Sequence, residues 1–371
     1  MKIKALVLLS LIVLVSVSSS PWLMAAVEGK EITDLKVLML ISDNFGWNYF
    51  DAREILESWG VNVTTLSNSL DTNVSACVNR PDNWTIADML LKDVQDDIAS
   101  QFDILYIPAG AQWQSLIAST RVCNFISNAY ESGLIIGTIS VGNRVLSRAN
   151  NIVNGSNVVS DTNSNSYMFA AGATIRYGVD VVSDNRFVTG GPGGGPTGGG
   201  YTVAPMSEVC AAMIRKALGY SYVNEAIITP LNEARTNFTI SVEVNDLDSE
   251  FNELFSEDIN ISSVVANVLS KENRTLIESI NLIDSNSDFI YTGAFTATTD
   301  GEYVLDIEIE DTNSTLEIER ELVTFSVGEE TTTPSTTSTS NTGLDPLLIT
   351  GVGVVGIAAI LVIAIIMKRN R

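Results

Sequence analysis

The chain has 371 residues, with 44 acidic and 21 basic side chains, a formal net charge of −23 and no histidine. This charge argues against nucleic acid as a partner, because a polyanion needs clustered Lys and Arg to displace its counterions. Without histidine, the chain cannot build a Ser-His-Asp or Cys-His mechanism or a histidine-ligated metal site from its own residues. At about 150 residues per domain, the length predicts two folded domains plus further segments.

Residues 1–26 have the three-part pattern of a secretory signal peptide. Lys2 and Lys4 precede an apolar run, and small residues end the segment at Ala25 and Ala26. The alternative is an uncleaved anchor helix, but the apolar run is short for a membrane span. We therefore expect the residues that follow to be exported.

The C-terminal segments predict a membrane anchor. Residues 329–346 contain a Ser/Thr/Pro-rich tract that is too polar to fold and is typical of a solvated stalk. Residues 347–367 carry no charge and are long enough to cross a bilayer as one helix, and Lys368, Arg369 and Arg371 of the tail 368–371 mark its cytoplasmic side. We expect a single-pass protein of the cell membrane, with an N-terminal ectodomain outside and the C-terminus in the cytoplasm.

Glycosylation and disulfide formation are both open to an exported chain. Sequons of the form Asn-x-Ser/Thr lie only between the signal and the stalk, and they mark candidate N-glycosylation sites. They begin at Asn62, Asn73, Asn83, Asn154, Asn237, Asn260, Asn273 and Asn313. The three cysteines allow one bridge and one remaining thiol. We favour a disulfide between Cys77 and Cys123, because Cys210 falls on the apolar face of a helix, where a small buried residue is expected.

Residues 34–222 alternate strands with helices, which predicts an α/β domain with a parallel sheet. Continuous apolar runs are typical of strands that are buried on both faces. Strands are predicted at residues 36–41, 61–66, 102–108 and 134–140, and a further strand begins at residue 187. One helix is predicted over residues 49–59, a second ends near residue 133, and a third starts near residue 206. Ligand chemistry on such a sheet lies beyond the carboxyl ends of the strands.

The core strands of this domain resemble those of the DJ-1/PfpI family in order and spacing. The matching sequences are KVLMLI from Lys36, FDILYIPAG from Phe102 and GLIIGTISVG from Gly133. The sequence FVTGGPG from Phe187 and the helix after it resemble the last strand, loop and helix of that family. The resemblance covers about half of the chain and implies a flavodoxin-like parallel sheet between helices, the class I glutamine amidotransferase-like fold.

The resemblance also implies a catalytic site, and this chain departs from it. The family uses a cysteine at a strand-to-helix elbow, often followed by histidine, with a glutamate from the loop after the first strand. Here the elbow holds Ser140 followed by Val141, and the first loop offers Asp43 and Gly46 where the glutamate is expected. A serine lacks the low-pKa thiolate and needs an adjacent base. We therefore predict a pseudoenzyme in which Ser140 caps the following helix and Asp43 is a turn residue.

Residues 224–328 change to an alternation of apolar and polar residues, which predicts an antiparallel β sandwich. The sequence FTATTDGEYV from Phe295 resembles a hairpin of immunoglobulin-like domains. Because each part has its own apolar pattern, we expect the α/β domain to fold without the sandwich. Asp246, Asp248 and Glu250 alternate as Ca²⁺ ligands can, but an acidic solvated loop is the favoured interpretation.

These features favour a non-catalytic cell-surface protein whose DJ-1/PfpI-like domain binds an extracellular ligand or protein, because a fold does not carry function once its site is lost. One alternative is an exported hydrolase or amidase in which Asp43 or a lysine activates Ser140. Another is a purely structural component of the cell envelope. We expect no cofactor and no nucleic acid, a membrane as partner, and leave a homodimer open.

Overall fold

The computed structural model describes residues 30–77, 84–191, 205–247, 251, 254 and 259–328. The predicted signal peptide, stalk, membrane span and cytoplasmic tail lie outside these residues, as does most of the glycine-rich stretch 190–200. Within the described ranges, no helix is long and apolar enough to cross a membrane.

The helices are labelled in chain order as α1 Asn48–Ser58, α2 Trp113–Ala118, α3 Thr120–Glu131, α4 Asn143–Leu146, α5 Asn165–Ala170 and α6 Met206–Ala217. Short 3₁₀ helices lie at Ile32–Asp34, Leu91–Asp93, Asp96–Gln101 and Ser140–Gly142. The strands of the first part are β1 Lys36–Ile41, β2 Asn62–Ser67, β3 Asn73–Ser75, β4 Trp84–Ile86, β5 Met89–Leu90, β6 Ile104–Ile107, β7 Ile135–Ile139, β8 Asn157–Val158, β9 Thr174–Ile175, β10 Val181–Asp184 and β11 Phe187–Gly190. Those of the second part are β12 Val223–Pro230, β13 Asn237–Val244, β14 Ile261–Ser270, β15 Leu276–Leu282, β16 Ile290–Thr296, β17 Gly301–Asp311 and β18 Thr315–Val327.

The first part is built on parallel strands in the order β5-β2-β1-β6-β7-β11, with β10 antiparallel beside β11. Successive residues of the central strand β1 enter different cores, because side chains alternate between the faces of a sheet. Met39 packs with α1 and α6 on one face, whereas Leu38 packs with α3 on the other. This arrangement confirms the predicted flavodoxin-like α/β domain.

The second part is rich in antiparallel strands, as predicted. One sheet has the order β12-β13-β16, and β15-β14-β17-β18 form the other side. β13 alternates half-buried and buried residues, and its Phe238, Ile240 and Val242 share a core with Ala266 and Leu305 from the opposite side. The period of two in the sequence therefore marks the faces that pack together.

The two parts share one sheet. β18 pairs in parallel with β10, from Val181 opposite Thr315 to Asp184 opposite Ile318, so that an 11-stranded sheet runs through both parts. The described residues cluster as one compact unit. This result differs from the expected structural separation of the α/β domain, because an apolar pattern shows that a strand is buried but not which sheet edge it joins. The boundary near residue 224 stays a prediction.

Candidate active site and its surroundings

Two loops are hydrogen-bonded to each other at the carboxyl edge of the parallel sheet, where β1 and β6 end. The amide of Gly46 donates to the carbonyl of Ala109 at 2.7 Å, and the amide of Gln112 donates to the carbonyl of Asn44 at 3.0 Å. The loop after β1 is thereby fixed against the loop after β6. The edge at which the sequence predicts ligand chemistry is a rigid backbone frame.

Ser140 lies at the elbow between β7 and α4, as predicted. Its φ angle is +52°, in the left-handed region that non-glycine residues rarely enter. It is the first residue of the 3₁₀ helix Ser140–Gly142, which leads directly into α4. Such a backbone costs about 1–3 kcal/mol and persists only where its surroundings enforce it. The elbow is therefore strained in this chain, with serine at the position where the resemblance implies cysteine.

The Ser140 hydroxyl makes no hydrogen bond to any residue that the structure describes. The prediction that it caps the following helix is wrong, because Ser140 lies inside the turn and the turn has no side-chain cap. An unassisted serine hydroxyl is a weak nucleophile, since its proton has no acceptor.

Asp43, the candidate acid, is exposed and faces a neighbouring hairpin. Its Oδ1 accepts hydrogen bonds from the amide and the hydroxyl of Ser75, at 3.2 and 3.1 Å. Its own amide donates to Ser69 Oγ at 3.1 Å. These contacts fit the interpretation of Asp43 as a turn residue, and none of them involves Ser140.

A carboxylate cannot replace Gly46 without moving the frame. A Cβ atom at this position would lie 2.9 Å from the Ala109 carbonyl carbon and 2.9 Å from Asn48 Oδ1. Asn48 itself is buried, and its Oδ1 accepts a hydrogen bond from the Ala109 amide at 3.1 Å. The polar side chain that contacts the frame here is therefore the amide of Asn48, which was not predicted from the sequence. Its place at the start of α1 was the available signal.

A second buried amide lies directly beneath the elbow. Asn143 of α4 is fully buried and accepts a hydrogen bond from the Thr138 hydroxyl of β7. Its Nδ2 donates to the carbonyls of Val159 and Gly190, at 2.7 and 3.3 Å. The elbow is thereby tied to β7, β11 and the segment after β8. This network was also missed, because single buried Asn residues have no spacing pattern.

Arg144 holds the same elbow from the other side. Its guanidinium carbon lies 4.5 Å from the ring centroid of Trp113 and 5.2 Å from that of Tyr167. Its Nε donates to Ser164 Oγ at 2.8 Å, and Asp161 Oδ1 lies 4.0 Å from Nη2. The positive charge of a cation that lies between two aromatic rings and a carboxylate is already balanced by these neighbours. Arg144 therefore positions α4 against α2 and α5.

All three cysteines are buried and free, so the favoured disulfide between Cys77 and Cys123 is not formed. The amide of Cys77 donates to Phe45, a member of the core that contains α1 and α6, whereas Cys123 belongs to α3 on the opposite face of the sheet. Burial raises the pKa of the Cys210 thiol, so this cysteine stays protonated and inert.

The Ca²⁺ candidates are only partly described: Asp246 follows β13, while Asp248 and Glu250 lie outside the described residues. Where residues are described, no three His, Cys, Asp or Glu side chains form a metal site. Most sequon asparagines lie at the surface: Asn62, Asn73, Asn154, Asn260 and Asn273 are exposed, Asn237 and Asn313 are half-buried, and Asn83 lies outside the described residues. Their use remains a prediction.

Residues 35–196 match the family model of the DJ-1/PfpI family. This part of the chain is a DJ-1/PfpI-family domain, with the class I glutamine amidotransferase-like fold that the resemblance implied. No curated protein matches the chain.

Several solved structures are similar to part of the chain. A ThiJ/PfpI domain protein from Brachyspira murdochii is 21% identical, with a TM-score of 0.42, over 50% of this chain and 98% of that one. A DJ-1 superfamily protein from Salmonella typhimurium is 19% identical, with a TM-score of 0.41, over 50% of this chain and 91% of that one. DJ-1 of Schizosaccharomyces pombe is 18% identical, with a TM-score of 0.38, over 42% of this chain and 83% of that one.

Proposed function

We propose that the chain is a membrane-anchored cell-surface glycoprotein whose DJ-1/PfpI domain binds a ligand or partner without catalysing a reaction. The observation that carries the non-catalytic part is the Ser140 hydroxyl, which has no hydrogen-bond partner among the described residues, in a chain without histidine. A general base must lie within hydrogen-bond reach of the proton that it removes. Gly46, with no room for a side chain, supports the same conclusion.

The cell-surface part of the proposal is supported by the sequence. The signal-like residues 1–26, the apolar residues 347–367 and the basic residues after them give one consistent orientation. The surface positions of the described sequon asparagines are compatible with glycans. In this proposal, the β-rich part is an immunoglobulin-like spacer, which two facing antiparallel sheets would suit.

One observation favours a second candidate, an exported hydrolase or amidase. The positive φ of Ser140 is an outlier of the kind that clusters at active sites. In that case, a group supplied by the ligand or by the undescribed residues would have to accept the serine proton. A fixed structural turn explains the same φ angle without a proton acceptor, so the hydrolase or amidase is the second candidate.

A fluorophosphonate probe of active serines tests both candidates on the purified protein. We expect no labelling, and the variant Ser140→Ala should behave as the wild type. Stoichiometric labelling that disappears in Ser140→Ala would establish the hydrolase instead. The orientation is tested separately by adding protease to intact cells: the proposal requires loss of everything but a small anchored fragment, and full-length protein in the cytosol would contradict it.

A further inference from the structure

A cleft of about 700 Å³ lies between the DJ-1/PfpI domain and the outer face of the β sandwich. Its walls come from the segments around β8 and β9 on one side and from β14, β15, β17 and β18 on the other. The volume is within the range of about 300–1,000 Å³ that is usual for sites of small ligands. The loops after β1, β6 and β7 contribute nothing to it, so the cleft is separate from the Ser140 edge.

One end of the cleft carries a connected set of polar side chains. Arg176 binds Glu308 through two parallel hydrogen bonds, at 2.6 and 2.5 Å. Asn267 donates to the same carboxylate at 2.9 Å, and Ser279 donates to Asn267 Oδ1 at 2.6 Å. Each partner is held by the next, so these groups keep fixed directions. Pre-organised groups of this kind lower the entropy that a ligand loses on binding.

The other side of the cleft repeats this chemistry. Arg320 is paired with Asp184, and the side-chain amide of Asn157 donates to the same carboxylate at 2.9 Å. Arg274 donates to Asp306 and to Glu321. After these contacts, Nη1 of Arg320 and Nε of Arg176 still donate to no described residue, and neither is a buried unsatisfied atom. Donor capacity therefore remains at the cleft surface.

The remaining wall is aliphatic: it consists of Val265, Leu269, Leu276 and Ile318. Leu276 is 54% exposed although it is a large apolar residue. The cleft thus combines alternating donors and acceptors with apolar surface. A small number of placed polar groups on an apolar wall is the usual composition of a ligand site.

We propose that this cleft binds an uncharged, polyhydroxylated ligand, namely a short oligosaccharide. Every arginine of the cleft is already paired with a carboxylate, so an anion would approach Asp306 and Glu308 and a cation would approach the arginines. A ligand charge of either sign must therefore disrupt a pair whose separation is unfavourable. A hydroxyl group both donates and accepts, so it can add to the existing network without breaking it.

Two sources could supply such a ligand. One is a free or partner-borne sugar, and the other is a glycan on the chain itself, because the sequon asparagine Asn273 directly precedes the cleft residue Arg274. The full-length chain should therefore be produced both in a host without N-glycosylation and in one with it. In the second form, Thr275→Ala removes the sequon and leaves Arg274 in place.

Binding is measured by calorimetry on the unglycosylated full-length chain, with maltose, cellobiose and chitobiose as neutral probes and glucuronate, ethanolamine and phosphate as charged ones. We expect at least one neutral sugar to bind. Asn267→Leu should weaken that binding at least about tenfold, whereas Asn281→Leu, on the same strand pair but outside the cleft, should not. Ser279→Ala is the second variant, in case Asn267→Leu fails to melt cooperatively, and Ser140→Ala should have no effect.

Each other result has a defined meaning. Binding of the charged probes alone, or of none of the probes at millimolar concentration, would overturn the ligand class. Sugar binding that survives both Asn267→Leu and Ser279→Ala would show that the binding site lies outside the cleft. If sugar binds the unglycosylated chain and the glycosylated Thr275→Ala variant but not the glycosylated wild type, the chain's own glycan occupies the cleft. These results are independent of labelling at Ser140, so the two proposals can fail separately.

Discussion

Arg320 of β18 and Asp184 of β10 form a two-point ion pair across the junction between the β sandwich and the DJ-1/PfpI domain. The Nε–Oδ1 and Nη2–Oδ2 distances are 2.6 and 2.5 Å, and Asp184 is fully buried. Asn157 donates to the same carboxylate with its backbone amide and with its side chain. Both oxygens of a buried charge are thus satisfied, which is the condition under which such a charge is tolerated.

Arg320→Met should therefore lower the free energy of unfolding by about 3–5 kcal/mol, because it leaves the carboxylate of Asp184 buried without its counter-charge. Urea denaturation followed by circular dichroism measures this change. Lys271→Met is the matched control: the Lys271–Glu302 pair is half exposed on both sides and should contribute about 0–1 kcal/mol. Equal effects of the two variants would show that the junction pair does not hold the two parts together.

Residues 30–223 produced alone should aggregate or melt at a lower temperature than residues 30–328. The truncation removes β18 and exposes the edge of β10, together with Val182, which packs against Leu316 and Ile318. An unpaired apolar edge strand is a template for association. Light scattering and thermal melts compare the two products. A monomeric, equally stable short form would show that β18 is dispensable.

Gly46→Ala should lower the free energy of unfolding by about 1–3 kcal/mol, since its Cβ would press on the backbone of Ala109. Gly191→Ala is the comparison, because its nearest contact is the Val159 side chain at 3.1 Å, which can adjust. Thermal denaturation of both variants checks the difference. A neutral Gly46→Ala would mean that the loop after β1 can move and could accept a carboxylate.

Ser140→Gly should leave the stability unchanged or raise it by about 1 kcal/mol, because glycine adopts positive φ without strain. Ser140→Val should lower it by about 1–3 kcal/mol, since a β-branched residue is the least compatible with this conformation. Denaturant titration of both variants provides the test. If valine is tolerated as well as glycine, the elbow is not strained.

Glu319 should make the junction pH-sensitive. Burial raises the pKa of this carboxyl from 4.5 to about 6, and hydrogen bonds from Ser221, Tyr222 and Val223 oppose the rise. The folded state therefore binds the proton more tightly than the unfolded chain. This contribution to stability is fully present below pH 4.5 and is lost as the pH rises through about 6.

The contribution of Glu319 to the free energy of unfolding falls by about 2 kcal/mol between pH 4.5 and 7. Glu319→Gln, which cannot titrate, should remove that part of the pH dependence when urea unfolding is repeated across this range. Glu278→Gln on the exposed strand β15 is the control variant. An unchanged pH profile in Glu319→Gln would contradict the raised pKa.

Much of the fold was predictable from the sequence. The apolar runs located β1 at its observed bounds and β6 and β7 to within two residues, and the alternation over residues 224–328 predicted the antiparallel strands there. These patterns reflect burial, which local sequence encodes. The parallel pairing of β10 with β18 was not predictable, because it joins segments more than a hundred residues apart and no periodicity specifies a partner.

The position of the candidate site was predictable from the sequence, but its backbone conformation and buried hydrogen bonds were not. The spacing of strands placed Ser140 at the elbow, yet its positive φ is enforced by contacts that only the folded chain provides. Asn48 and Asn143 are buried amides that hydrogen-bond backbone groups far away in the sequence. Such hydrogen bonds leave no mark in a single sequence, because an isolated Asn reads equally well as a turn or surface residue.

The shared strand β18 also determines how a pull on the C-terminal end would be carried. The described fold ends just after β18, whose first residues run in parallel beside β10 and whose last residues run antiparallel beside β17. Tension along this strand loads its lateral hydrogen bonds together rather than one after another. Part of the load would pass through β10 into the sheet that positions the Ser140 elbow. Mechanical strain applied at the C-terminal end and the geometry of the Ser140 elbow would thus be coupled through a single strand.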